Sequence, residues 1–239
     1  MVQMTTSLAA SGLRGQAAMN LAIVAATGGI GRELLEQALA ARHSVAAIVR
    51  HPNGLPRDVR VFTTDLASPD QATLQSAISG ADAVVSGLGA RSAADVGVAA
   101  RGTRAILQAM TATGVRRIVV VSAAPIGTVP SPGRPNPPKY DPGDGYFMRH
   151  LLAPLTKRAL RHHYADLARM EDVLRESGVD WTIVRPPRLT DGPLTAHYRI
   201  AFGQNLRRGL FVSRADVAHF MLRAVRETDT IQQAIGIAD

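Results

Sequence analysis

The chain contains no cysteine. Disulfides, thiolate metal sites and cysteine nucleophiles are therefore excluded, and a reducing compartment such as the cytoplasm is expected. Lysine is almost missing as well. Lys139 and Lys157 are its only occurrences, so the formal net charge of +8 is carried by arginine. Aromatic residues make up only 4% of the chain, and no basic stretch is interleaved with them as a base-stacking platform requires. Nucleic acid is not an expected partner. No apolar run approaches the roughly 20 residues needed to cross a bilayer, so no membrane span is expected. The basic balance is met most economically by a small anionic ligand that carries phosphate.

What is present suits one α/β domain: 239 residues can bury a full core without covalent staples. Met1 to Met19 is rich in Ala, Ser, Thr and Gly and lacks the basic start and long apolar stretch of a secretory signal. It reads as a disordered leader over 1–19, ahead of a single domain over 20–239. Short apolar runs then alternate with helical periodicity. Strands are predicted at Leu21–Ala26, Val45–Val49, Val59–Thr63, Ala83–Ser86 and Arg117–Ser122, and helices at Gly31–Ala41, Gln71–Ser79 and Val98–Thr113. This alternation predicts a doubly wound, mainly parallel sheet with helices on both faces.

Gly127–Gly145 is dense in proline and glycine and reads as irregular chain. Tyr146–Arg161 has helical character and a basic face from Arg149, Lys157, Arg158 and Arg161, so 127–161 reads as an insertion. Beyond it, Tyr164–Ser177 is an amphipathic helix with Leu167, Met170, Val173 and Leu174 on one face. Asp180–Val184 is a strand stopped by Pro186–Pro187, Leu210–Val212 a short strand, Arg214–Arg226 a helix, and Ala234–Ala238 a final strand.

The first strand hands over to the first helix through Ala25–Ala26–Thr27–Gly28–Gly29–Ile30–Gly31. Glycines at such a junction let a pyrophosphate approach the backbone, and the helix behind offers free N–H groups and its positive dipole end. Thr27, Gly28, Gly29, Ile30 and Gly31 are therefore the candidate phosphate-binding residues. Alanine replaces the usual first glycine at position 25, which is harmless only if the turn needs no positive φ there. The end of the second strand chooses between dinucleotides. An acid there binds a ribose 2′-hydroxyl, and an arginine accommodates a 2′-phosphate. Arg50 stands there with no acid before Asp58, which favours NADP(H) over NAD(H). Asp65 and Leu66, after the third strand, are placed to border the adenine. Gly87, Leu88 and Gly89, after the fourth, are placed to pass beneath the ribose and pyrophosphate.

Beyond the turn itself, "VRHP" at Val49–Pro52, "VVSAA" at Val120–Ala124, "SGVDWTIVRPP" at Ser177–Pro187 and "SRADVAHFMLR" at Ser213–Arg223 carry a family resemblance. So do "LGAR" at Leu88–Arg91, "RMEDVLRESG" at Arg169–Gly178 and "LTDGPLTAHY" at Leu189–Tyr198. Over roughly residues 20 to 238 the chain resembles atypical short-chain dehydrogenases/reductases with NmrA-like NAD(P)H-binding domains, most of all the biliverdin reductase B/flavin reductase branch. The resemblance implies one Rossmann domain with a small C-terminal part closing the substrate site. It also implies that Arg91, Ser122 and Arg185–Leu189, including Pro186, Arg188 and Leu189, border the nicotinamide and substrate. Arg188 stands where that branch has a histidine, and the 127–161 segment is longer than in that branch.

Carbonyl-reducing members of the superfamily use Tyr-x-x-x-Lys, in which lysine lowers the tyrosine pKa. Here Tyr140, Tyr146, Tyr164 and Tyr198 are followed four residues on by Asp144, His150, Ala168 and Phe202, so the dyad is absent. Two readings stay open. In one, hydride passes to a small-molecule acceptor that needs little acid catalysis, such as a flavin, quinone or enone. Ser122 then donates a hydrogen bond to nicotinamide or acceptor, and Arg188 or Arg91 holds an anionic group. In the other, the chain is a non-catalytic NADP(H)-binding redox sensor. His162 and His163 are adjacent, point to different sides of a helix, and read as surface residues rather than metal ligands. Glu171 and Asp172 read as helix charges pairing with Arg169 or Arg175.

Overall fold

The computed structural model describes residues 17–90, 95–145 and 157–239. An eight-stranded sheet runs in the order β3-β2-β1-β4-β5-β6-β10-β8. Its strands are β1 (Asn20–Val24), β2 (Ser44–Val49), β3 (Arg60–Thr63), β4 (Ala83–Ser86), β5 (Arg117–Val121), β6 (Asp180–Arg185), β8 (Arg199–Phe202) and β10 (Gln233–Ala238). Every pairing is parallel except β10 with β8. The order reverses between β1 and β4, and in open α/β sheets that point opens a crevice at the strands' C-terminal ends. A second, two-stranded sheet pairs β7 (Arg188–Thr190) with β9 (Phe211–Ser213).

Side chains alternate across a strand, and β1 shows what that does here. Ala22 and Val24 enter one apolar layer, and Leu21 and Ile23 enter the other. The first layer is covered by α2 (Gln71–Ile78), α3 (Val98–Thr113) and α4 (Arg161–Arg175), the second by α1 (Gly29–Ala40) and α5 (Arg214–Ala224). Phe220 of α5 is fully buried, which stabilises by about 2–3 kcal/mol. The C-terminal end of α5 is tied down by buried Arg117 at the start of β5. Its guanidinium donates to the carbonyls of Ala224 (2.5 Å) and Val225 (3.2 Å) and to the hydroxyls of Thr182 and Thr230. Burial lowers the Arg117 pKa to about 10, partly countered by Asp180.

The doubly wound sheet matches the sequence pattern, with local differences. The first helix begins at Gly29 rather than Gly31. Gly28 serves as its extended N-cap (φ −77°, ψ 173°), a position where glycine costs only a few tenths of a kcal/mol relative to the best capping residues. α4 begins at Arg161, three residues early, so His162 and His163 lie in its first turn. Strands β7 and β8 carry no clear apolar alternation and were not expected. The stretch 127–145 is mostly irregular, as read, but the chain before it forms a 3-10 helix at Ala124–Thr128, and Ser131 and Arg134 form an isolated bridge. It is not a free loop. Asp172 on α4 accepts from Ser131 Oγ and the Gly133 amide, both at 2.9 Å, and Asp141 accepts from the amides of Gly143 and Asn205. Most of the basic helix expected at Tyr146–Arg161, including Arg149, lies outside the described residues, as does Arg91.

Candidate functional site

The phosphate turn is built from β1 outward. Val24 closes the strand, and Ala25 then adopts φ 58°, so the turn does demand the left-handed conformation that glycine normally supplies. This geometry turns the Ala25 carbonyl toward the Gly28 amide, which donates to it at 2.7 Å. Gly31 sits against the same carbonyl, and a Cβ there would overlap the Ala25 oxygen. Gly87, just after β4, approaches less tightly: its Cβ would lie 3.1 Å from the Gly31 amide nitrogen. The backbones at Ala25, Gly31 and Gly87 thus pack closely, and a side chain at Gly31 is excluded.

The helix ends differ. Asp70 caps α2 by accepting from Ala72 and Thr73 amides. Asp166 reaches across from α4 to accept from Gly97, Ala99 and Ala100 at the start of α3. Ser213 caps α5. The N-cap residue of α4, Leu160, makes no side-chain cap bond, and among the described residues no side chain caps α1 either. Its first amides face the crevice with the positive end of the helix dipole behind them, which is an anion-binding arrangement. The unfilled N–H groups and the cradle at Gly31 and Gly87 fit a pyrophosphate.

Of the residues read from sequence, Thr27–Gly31, Arg50, Asp65, Gly87, Ser122 and Pro186 follow six neighbouring parallel strands, β1 to β6, along one edge. Gly89 has open space around it. Leu66 and Leu88 are buried, and a Cβ on Gly102 of α3 would meet both, so their side chains serve the core. Asp65 is exposed and accepts from the Ala67 amide at 3.0 Å. Arg50 is half-exposed and paired with Asp95 at 3.2 Å. Arg188 is exposed, with its guanidinium 5.8 Å from the Phe211 ring centre, and Leu189 is half-buried beside it in β7.

Ser122 has a partner that the sequence reading did not foresee. Its amide donates to Val184, and its buried hydroxyl donates to Glu171 Oε1 at 2.8 Å. Glu171 is more than a charge paired along its own helix. It is fully buried, takes two bonds from Arg185 (2.9 and 2.5 Å) and one from Arg175 (2.6 Å). The expected pairing with Arg175 exists, but the buried fork with Arg185 was missed. Burial by itself raises the Glu171 pKa, yet Arg185, Arg175 and Ser122 together leave it below the ordinary value. An ionised carboxylate only accepts, so the Ser122 proton is committed to it, and the Ser122 oxygen is left to accept from a ligand rather than donate. One signal in the sequence marked Glu171: it lies four residues after Leu167 and three before Leu174, on the apolar stripe of its helix. Arg214, which lies over Gly29, gave no such signal.

Comparison with known proteins follows the same lines. A family model described as NAD(P)H-binding matches residues 25–228. The chain belongs to this NAD(P)H-binding family. Within the family's fold, ChuY, an anaerobillin reductase from Escherichia coli O157:H7, is 25% identical, with a TM-score of 0.70 over 92% of this chain and 96% of that one. A short-chain dehydrogenase/reductase from Veillonella parvula in complex with NADP is 21% identical, with a TM-score of 0.71 over 93% and 95% of the two chains. SP1627 from Streptococcus pneumoniae, a proposed NADH-flavin reductase, is 23% identical, with a TM-score of 0.70 over 93% and 100%. Among curated proteins, UPF0659 protein C216.03 of Schizosaccharomyces pombe is 28% identical over 134 residues, 56% of this chain. The chain spans about half the length (51%) of that relative. The matched residues include the glycine-lined start of α1. No helix among the described residues is long and apolar enough to cross a membrane.

Proposed function

We propose that the chain is an NADPH-dependent reductase that passes hydride to a conjugated small molecule, such as a flavin, quinone or enone, within the NmrA-like, biliverdin reductase B/flavin reductase branch. The observation that carries this reading is the commitment of the Ser122 proton to Glu171, in a chain without Tyr-x-x-x-Lys. A simple ketone would call for a side-chain acid as its alkoxide develops. A conjugated acceptor spreads the incoming charge, and water suffices as the proton source.

When bound, the reduced nicotinamide supplies the hydride. The chain's own residues hold and orient. The free amides at the start of α1, with Gly87 beneath them, grip the pyrophosphate. Arg50 holds the 2′-phosphate in place of its present partner Asp95, which favours NADP(H) over NAD(H). Asp65 and the backbone at Leu66 border the adenine, and Gly89 leaves room for the ribose. The Ser122 oxygen accepts from an N–H of the nicotinamide carboxamide or of the acceptor, while Pro186, Arg188 and Leu189 line the acceptor side. Residues 20–239 act as one unit, because the sheet from β1 to β10 is continuous.

Purified chain is mixed with NADPH and FMN, NADPH and a quinone, or NADPH and an enone, and loss of reduced nicotinamide is followed. Turnover supports the reductase. Saturable NADPH binding with no turnover against any of the three acceptor classes overturns it in favour of the redox sensor.

A further inference from the structure

We propose that Arg214 is a ligand for the dinucleotide's pyrophosphate and that Asp191 holds it in readiness, with the bound phosphate competing for the same guanidinium. The inference rests on the dinucleotide reading above and adds a residue from the far end of the chain to the glycine turn.

Arg214 is the first residue of α5, and its side chain lies back across the start of α1. A Cβ on Gly29 would come within 2.8 Å of Arg214 Nε and 2.9 Å of its Cδ, closer than real Cβ atoms approach. The bare backbone at Gly29 is thus what lets an arginine rest on the phosphate turn. This explains a glycine that neither a positive φ nor a backbone crossing requires.

The surroundings concentrate positive potential on one spot. α1 and α5 pack together and both begin at the C-terminal edge of the sheet: α1 follows β1 directly, and the far end of α5 reaches Arg117 at the start of β5. The two helix ends are not equivalent. That of α5 is closed by its own residues, since Ser213 Oγ accepts from the Asp216 amide at 2.9 Å and donates to the Asp216 carboxylate at 2.8 Å. That of α1 has no side-chain cap among the described residues. Arg214 lies over Gly29, the first residue of that uncapped helix.

The partner Arg214 has now is replaceable. Its Nη1 sits 2.5 Å from Oδ1 of Asp191, whose side chain is 91% exposed. An ion pair with one member almost wholly in water is weak. A pyrophosphate brings more charge and several acceptor oxygens, and guanidinium presents a planar fork of donors that matches them. The exchange of Asp191 for phosphate therefore favours the ligand.

Calorimetric titration of the full chain with NADPH and NADH tests this, with Arg214→Gln, Asp191→Asn and the double variant, after thermal melts confirm that each is folded. Arg214→Gln weakens both dinucleotides about ten- to a hundredfold, because both carry the pyrophosphate. Asp191→Asn tightens both several-fold, and that gain vanishes in the Arg214→Gln background. Binding by Arg214→Gln within twofold of the unaltered chain overturns the proposal. So does a loss confined to NADPH, which would assign Arg214 to the 2′-phosphate, and so does an Asp191→Asn gain that persists without Arg214. If the unaltered chain binds neither dinucleotide, the underlying reading fails. If it binds and only the variants disagree, the failure belongs to Arg214 alone.

Discussion

The hydroxyl of Ser122, at the end of β5, donates to the carboxylate of Glu171, 49 residues further on in α4, at 2.8 Å. Because Arg185 is buried on the same carboxylate, removing the acid leaves a cation without its partner. Glu171→Ala should destabilise the fold by about 3–5 kcal/mol, the usual cost of breaking a buried ion pair from one side. Urea unfolding with an unchanged m-value measures it. Ser122→Ala, which leaves both arginines on Glu171, should cost only about 1–2 kcal/mol.

The same carboxylate makes the protein acid-sensitive. In the folded state its pKa lies below the ordinary carboxylate value of 4.5, since its arginine partners outweigh the effect of burial. A lowered folded pKa contributes stability that is complete above the unfolded value and is lost as pH falls through the folded one. Stability should therefore drop steeply below about pH 4.5. Glu171→Gln should start less stable and show a shallower acid slope. Equal slopes would assign the acid transition to other groups.

Ala25 holds φ 58°, a conformation that strains an L-residue by about 1–2 kcal/mol. Ala25→Gly relieves that strain but loosens the unfolded chain, which costs back about 0.4–1 kcal/mol. The net expectation is a gain of about 0.5–1 kcal/mol, or roughly 1–4 °C in Tm for a chain of this size. Differential scanning calorimetry reads the shift, and a lowered Tm would show that the strain is relieved in some other way.

Gly31→Ala is expected to do the reverse. Its Cβ would overlap the Ala25 carbonyl oxygen, so β1 and α1 must separate. Loss of about 2–3 kcal/mol of stability should follow, together with loss of measurable NADPH binding. Gly89, with open space around it, is the control: Gly89→Ala should leave stability within about 0.5 kcal/mol.

Arg50 already has an anion, Asp95, at 3.2 Å. If a 2′-phosphate takes that place, Arg50→Gln should weaken NADPH about tenfold and leave NADH within about twofold. Asp95→Asn, which removes the competitor, should tighten NADPH. Equal losses for the two dinucleotides would remove the basis for an NADP(H) preference.

Some of this was open to reading along the chain. Buried parallel strands are continuous apolar runs, so Leu21–Ala26, Val45–Val49, Ala83–Ser86 and Arg117–Ser122 announced themselves, and a glycine cluster between a strand and a helix marked the crevice. These signals are local, because they report burial and backbone freedom within a few residues. β7 and β8 escaped because short, half-exposed strands carry little apolar pattern, and α1 began early because glycine reads as a helix breaker even where it serves as a cap.

What the linear order of residues determined by itself is the alternating architecture, the place of the phosphate turn and the lack of a tyrosine–lysine pair. Only the folded chain decided that Ser122 gives its proton to Glu171, that Arg50 faces Asp95, and that Arg214 lies on a glycine 185 positions earlier. The physical reason is that hydrophobic burial follows a period that each segment carries within itself. The partner of a charge depends instead on sheet register and helix packing, which bring together atoms that no spacing in the sequence relates.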